Sequence, residues 1–205
     1  MTYKIILFDI DGVLIRVPYY FGRHLELRGY RDAEKILQDF YMRDYIPCAL
    51  WKADIRAEIL PTLTKLGWKK SVDDFFSQQF AFEIEYFEKE FLSVISHLRE
   101  RNILCYLASS QEARKIEYLW NQQLWKSLFD GKYISCDIGH RKEDGKYWEY
   151  VLEDITKKYI KADEILLLDD SQKVIDMAWS FWIRTYLFTD IERFWEDVKN
   201  NILSL

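Results

Sequence analysis

Cysteine is scarce in this chain of 205 residues: Cys48, Cys105 and Cys136 are an odd number, widely scattered, with no CxxC pair. Such a set offers no metal-ligand spacing. Two of the three lie in apolar runs, ILCYL and YISCDI, where a small buried thiol is the natural reading, and a reducing compartment follows from it. Long hydrophobic runs are missing as well. None approaches the ~18 apolar residues of a membrane span, and the opening KIILFDIDG is too short for a signal-peptide core and ends in acids. A soluble, cytoplasmic chain with no membrane partner is expected. Basic charge is not in excess either. The formal net charge of -5 argues against a nucleic-acid partner, because backbone binding needs a basic surface. Internal repeats, low-complexity tracts and Gly/Ser linkers are also lacking.

What is present is core material. Hydrophobic residues make up 49% of the chain and aromatics 17%, including eight Trp, enough to bury one domain that carries an inserted subdomain. Ring packing is expected to fill much of the interior. Short continuous apolar runs at 4–8, 103–107, 164–168 and 184–188, with a shorter one at 133–135, read as strands buried on both faces. Between them lie amphipathic stripes. Phe87, Phe91, Ile95 and Leu98 share a helical face, widened by Leu92 and Val94. Ala113, Ile116, Trp120 and Leu124 repeat the pattern, as do Trp148, Val151, Ile155 and Tyr159, then Val174, Ala178 and Phe181. Trp179 and Trp182 flank that last face and read as core packing.

Alternating strand and helix from about residue 84 onward predicts an α/β fold with a doubly wound parallel sheet. The stretch after the first strand looks helical instead. Ala33, Ile36, Leu37 and Phe40 make a stripe, 50–66 another, and Ser71 with Asp74 has the form of a capping box. The expected organisation is a core of 1–15 and 84–205 with an all-helical insert at 16–83, hinged near Arg16–Pro18 and Phe82–Tyr86.

Ligands of open α/β sheets bind outside the carboxyl ends of the strands. The first strand ends in Asp9-Ile10-Asp11-Gly12, the second in Ser109-Ser110 and the last strong one in Asp169-Asp170-Ser171. Four carboxylates and two hydroxyls therefore converge on one edge. Two unit charges ~4 Å apart at an effective dielectric of about 20 repel by about 4 kcal/mol. A hard divalent cation resolves the conflict, and all-oxygen ligation with few carboxylates suits Mg²⁺.

With these residues in order, the sequence resembles the haloacid dehalogenase-like hydrolase superfamily over 3–15 and roughly 84–190. An apolar strand leading into DxDGT/V is matched by FDIDGV at 8–13. YLASSQ supplies the strand-ending hydroxyl at Ser109, with Ser110 where Asn is usual. The segment from Ser135 through Gly139 brings Lys142, with Glu143 in place of a customary Pro and Lys146 as the alternative lysine. LLLDDS supplies Asp169 and Asp170. The helical insert resembles the superfamily's cap.

The resemblance implies a phosphatase working on a small phosphorylated metabolite. Asp9 would be the nucleophile, forming an aspartyl-phosphate. Asp11 would protonate the leaving oxygen and then activate water. Its presence favours phosphatase over dehalogenase, since halide leaves without a proton and the superfamily's dehalogenases lack an acid at this position. Ser109, with Ser110 beside it, and Lys142 would hold the phosphoryl group. Mg²⁺ would be held by Asp9, the Asp11 carbonyl and Asp170, with Asp169 acting directly or through water. Gly12 suits a tight turn. A sugar phosphomutase uses the same two aspartates and is the nearest alternative; a non-catalytic binding protein of this fold is a second. Substrate identity and oligomeric state are not written in the motifs.

Overall fold

The structure, a computed structural model, describes residues 3–199. The ends of the expected core, 1–2 and 200–205, lie outside the described residues. In chain order the elements are β1 (Ile5–Phe8); five helices, α1 (Phe21–Leu27), α2 (Ala33–Arg43), α3 (Tyr45–Ala49), α4 (Ile55–Leu66) and α5 (Val72–Ile84); and then α6 (Glu90–Glu100). There follow β2 (Leu104–Ser109), α7 (Ala113–Trp120), α8 (Gln123–Leu128), β3 (Gly131–Ile134), α9 (Ser135–Ile138) and α10 (Gly145–Thr156). The chain closes with β4 (Ile165–Asp169), α11 (Gln172–Ser180), β5 (Arg184–Leu187) and α12 (Ile191–Lys199).

All strand pairs are parallel, in the order β3-β2-β1-β4-β5. The chain winds outward from β1 in one direction and then crosses to wind in the other. The doubly wound α/β expectation holds. β1 and β4 are apolar at consecutive positions for the reason anticipated from sequence, since both faces of the sheet are covered there. β5, expected to be buried in the same way, lies at the sheet edge, part-buried, with Leu187 exposed. Ile6 and Phe8 of β1 join a core with Phe91, Ile95 and Leu98 of α6 and Phe194 of α12, while Ile5 and Leu7 face Trp148 and Val151 of α10 and Val174 of α11. Period-two alternation along one strand thus feeds two separate cores.

Helices α1–α5 have an apolar cluster of their own, built from Phe21, Leu37, Phe40, Ile59, Leu63, Phe75, Phe76 and Phe80 among others. The α5 capping box forms as expected, with Ser71 Oγ accepting from the Asp74 N–H at 3.0 Å and Asp74 Oδ2 accepting from the Ser71 N–H at 3.2 Å. The two chain segments that connect this helical region to the sheet run side by side. Arg16 N–H donates to the Tyr86 carbonyl at 3.1 Å and Glu88 N–H to that of Leu14 at 2.9 Å.

Several stripe positions are corrected. Leu92 is exposed on α6; α7 ends before Leu124, which is exposed on α8; and Tyr159 lies beyond α10, 92% exposed at a positive φ. Trp179 and Trp182 are 58% and 81% exposed rather than in the core. α11 presents Val174, Ile175 and Ala178 inward, which turns Trp179 to solvent, while Trp182 lies beyond the helix at a positive φ. The third strand ends at Ile134, and Ser135 opens α9. All three cysteines are buried and unpaired, with burial pushing Cys48 up to about 11 and Cys105 and Cys136 up to about 12. Among the described residues no helix is long and apolar enough to cross a membrane.

Candidate active site

The strand order puts the topological switch beside β1, and the acids cluster there. Asp9 follows β1 directly, with its N–H donating to the Leu168 carbonyl at 3.0 Å, so it lies alongside Asp169 at the end of β4. Carboxylate oxygens of Asp9, Asp169 and Asp170 lie within 4.8 Å of one another. Buried Asp9 is tightly oriented. Its Oδ1 accepts from the Ile10 N–H at 2.8 Å, from Ser109 Oγ at 2.8 Å and from Lys142 Nζ at 2.7 Å. Among the described residues no hydrogen bond is made to its Oδ2.

Lys142 lies between two carboxylates, 2.7 Å from Asp9 and 2.6 Å from Asp169 Oδ2. Burial alone would lower its pKa, but Asp9 and Asp169 outweigh that and hold the ammonium above its usual range. The same burial pushes Asp9 up to about 6, with Lys142 opposing and Asp169 adding to the rise. Asp170 is also raised, first by burial and then by Asp9. Three clustered carboxylates thus outnumber the one ammonium among them. The backbone of Lys142 is pinned from both sides: its N–H donates to Ser110 Oγ at 3.2 Å, and its carbonyl accepts from the buried Trp148 indole at 2.7 Å. These bonds hold the lysine loop in the stretch where Glu143 replaces the customary proline. Lys146 is exposed on the first turn of α10 and takes no part in the cluster.

Ser109, Lys142, Asp9 and Asp169 therefore meet in one cluster. Ser110 does not point its hydroxyl at Asp9; it supports the lysine loop instead. Gly12 has φ +84°, and a Cβ there would come within 2.1 Å of Asp170 Oδ2. The glycine is needed twice over, for the left-handed turn and for the close approach of the acid.

Asp11 stands apart from the other three. Its side chain is half exposed and is held from the core side, with Lys115 Nζ at 2.7 Å from Oδ1 and 2.9 Å from Oδ2, and Gln111 Nε2 donating to Oδ2. Lys115 is 6% exposed and also contacts Glu83 Oε2 of α5 at 2.8 Å. Gln111 in turn accepts from the Tyr45 hydroxyl of α3 at 3.0 Å. Sequence reading missed Lys115, Gln111, Glu83 and Tyr45. A lysine flanking an apolar stripe reads as solvent-facing, and nothing local marks its two acidic partners.

The other basic residues near the motifs are engaged elsewhere. Arg16 donates to the Thr189 carbonyl at 2.9 Å, Arg23 pairs with Glu26, Arg141 with Glu143 and His140 with Asp144, while the His24 ring packs 4.6 Å from that of Phe82. A cleft of about 420 Å³ lies between the α3–α4 connection and α7, lined by Cys48, Trp51, Lys52, Ile55, Glu112 and Arg114 among others. None of the four motif carboxylates lines it.

A family model described as haloacid dehalogenase-like hydrolase matches residues 3–179. Among solved structures, a HAD family enzyme from Bacteroides thetaiotaomicron in complex with magnesium and inorganic phosphate superposes with a TM-score of 0.71 at 20% identity, covering 91% of this chain and 94% of that one. A predicted HAD-like family hydrolase from Porphyromonas gingivalis gives 0.69 at 20% identity, covering 98% of each chain. The L-2-haloacid dehalogenase from Xanthobacter autotrophicus gives 0.64 at 17% identity, covering 90% of this chain and 76% of that one. At these identities the likeness is one of fold.

Proposed function

We propose that this chain, which belongs to the haloacid dehalogenase-like hydrolases, is a magnesium-dependent phosphohydrolase that acts on a small phosphorylated metabolite through an aspartyl-phosphate on Asp9. The observation that carries the reading is the site's charge and order: three carboxylates at the switch point, one of them oriented by three donors, with a buried lysine between two of them. The donor set fits the metal. Carboxylate oxygens from Asp9, Asp169 and Asp170 are hard ligands of the kind Mg²⁺ takes, and their surplus of negative charge is what a divalent cation offsets. These residues, with the Asp11 carbonyl, would hold the ion, which when bound supplies charge neutralisation for the approaching phosphoryl oxygens.

The chain's own groups do the rest. Asp9 is held in one orientation by Ile10, Ser109 and Lys142, so its carboxylate meets phosphorus without further reorganisation. Ser109 and Lys142 can extend the same donors to phosphoryl oxygens as charge develops on them. Asp11 is half exposed on the same turn, suited to giving a proton to the leaving oxygen and later taking one from water. An acid at this position favours a phosphate ester over a halide. The helical segment 16–83 serves as the cap, closing over the crevice and excluding water.

A panel of phosphorylated metabolites assayed with Mg²⁺ tests this reading. Release of phosphate is expected with Mg²⁺, is lost in EDTA, and is suppressed by Ca²⁺, whose larger and looser shell misplaces the nucleophile. Full turnover in EDTA with trace metal removed sinks the site assignment. Formation of an isomer in place of free phosphate, when hexose phosphates are supplied, shifts the reading to a mutase.

Gly12→Ala gives an independent check on the metal. A Cβ at 2.1 Å from Asp170 Oδ2, on a left-handed backbone, must displace that carboxylate. Apparent Mg²⁺ affinity is expected to fall about 10–100-fold, read by titrating activity and by calorimetry. Unchanged affinity in a folded variant removes Asp170 from the ligand set.

A further inference from the structure

Lys115 makes three short contacts that span two parts of the fold. From α7, its ammonium reaches both oxygens of Asp11, at 2.7 and 2.9 Å, and Glu83 Oε2 near the C-terminal end of α5, at 2.8 Å. Asp11 belongs to the turn after β1, whereas Glu83 belongs to the last helix of the insert. The insert fixes Glu83 from its own side: Gln79 Nε2 donates to Glu83 Oε1 at 2.8 Å, and the Tyr41 hydroxyl of α2 donates to Gln79 Oε1 at 2.6 Å. A second path runs in parallel from Asp11 through Gln111 to the Tyr45 hydroxyl of α3, which also accepts from the Glu112 N–H at 3.2 Å. Each core side chain that holds Asp11 is therefore itself held by a residue of the insert.

The contact between α5 and α7 sets the register of this arrangement. Arg114 pairs with Asp73, and the Phe80 and Tyr118 rings lie 5.4 Å apart. Arg114, Lys115 and Tyr118 thus form one strip of α7 against α5, and Lys115 is the member of the strip that reaches the nucleophile's turn. An ammonium between two carboxylates is fixed in place most firmly while both remain. Withdrawing α5 would take Glu83 away and open the ammonium to water, so its hold on Asp11 would slacken. Restoring α5 returns the ammonium to a fixed point between the two acids.

We infer that Lys115 is a positioning residue that makes the placement of Asp11 depend on the docking of the insert, through Glu83. This rests on the phosphohydrolase reading for Asp11's role, and it goes beyond that reading in assigning Lys115, Glu83 and the Gln111–Tyr45 pair to one device. With the insert docked, Asp11 is aimed by Lys115 and Gln111. With it undocked, both lose their second partner, and the acid loses its aim while Asp9, Ser109 and Lys142 keep theirs. Proton delivery then occurs only over a closed site, where bulk water is excluded.

Glu83→Gln keeps the shape of the side chain and removes one charge, so it tests the device with little risk to folding. On an alkyl phosphate, whose leaving oxygen needs a proton, kcat is expected to fall roughly 5–150-fold, the range of a typical coupling between sites, with KM nearly unchanged. On an aryl phosphate with a good leaving group the loss is expected to be much smaller. In the metal-free protein, amide exchange across 83–88 is expected to quicken. Lys115→Met should show the same leaving-group split, and the double variant should lose no more than Lys115→Met alone. Equal losses on the two esters, or no loss at all, overturn the inference. If wild type hydrolyses neither ester, the phosphohydrolase reading fails separately. The exchange data then decide the coupling alone, with non-additive effects of the two substitutions supporting it and additive effects ending it.

Discussion

Turnover by Asp9→Asn is expected to fall to background on every phosphate ester the wild type hydrolyses. The substitution keeps the volume of the side chain and its place after β1, but an amide cannot form the acyl-phosphate that splits the displacement into two steps. Its electrostatic effect is also local. Lys142 keeps Asp169 at 2.6 Å, so the buried ammonium retains one carboxylate partner, and the fold should survive. Circular dichroism and thermal unfolding close to wild type would establish that the loss is chemical. Beryllium fluoride, which mimics a phosphoryl group on a carboxylate, should bind with Mg²⁺ to the wild type and not to the variant. Substantial turnover by a folded Asp9→Asn protein would remove Asp9 from the role of nucleophile.

A second large effect is expected at Asp11, and it should differ in kind. Asp11→Asn leaves Asp9 and its three donors untouched, and an amide oxygen can still accept from Lys115 or Gln111. What disappears is the proton donor. General acid–base catalysis contributes ~10²–10⁴-fold, so weak activity should persist on alkyl phosphates, with a smaller deficit on aryl phosphates that hardly need protonation. A loss of the same factor on good and poor leaving groups would show that Asp11 is not the acid, even with Asp9 upheld. Together the two variants separate attack from proton transfer, and the Glu83 and Lys115 variants should follow the Asp11 pattern rather than that of Asp9.

Much of the sheet was legible because its physics is local. A strand covered on both faces must be apolar at consecutive positions, as β1, β2 and β4 are. The acids that end β1 and β4 stand out because carboxylates directly after such a run fall at a sheet edge. The Ser71–Asp74 box was equally readable, since both of its bonds span three residues. Stripe ends were read less well. Leu124 and Tyr159 continue a helical period that the chain itself abandons, at the α7–α8 break and at the positive-φ Tyr159. Trp179 and Trp182 read as core packing because they flank an apolar face, but α11 buries Val174 and Ala178 and leaves Trp179 outside, and Trp182 lies beyond the helix at a positive φ.

By itself the sequence determined the doubly wound sheet, the convergence of Asp9, Ser109, Asp169 and Asp170 at one edge, and the helical character of the residues after β1. Each follows from hydrophobic period and backbone geometry, which act over a few residues, and from the rule that parallel strands present their carboxyl ends at one edge. Tertiary structure alone decided that Ser110 braces the lysine loop, that Gly12 must yield its side-chain space to Asp170, and that Lys115 joins Asp11 to Glu83. Those outcomes depend on the packing of segments far apart in the chain. A buried charge takes whatever partner that packing brings within about 3 Å, and no spacing along the sequence records which one it will be.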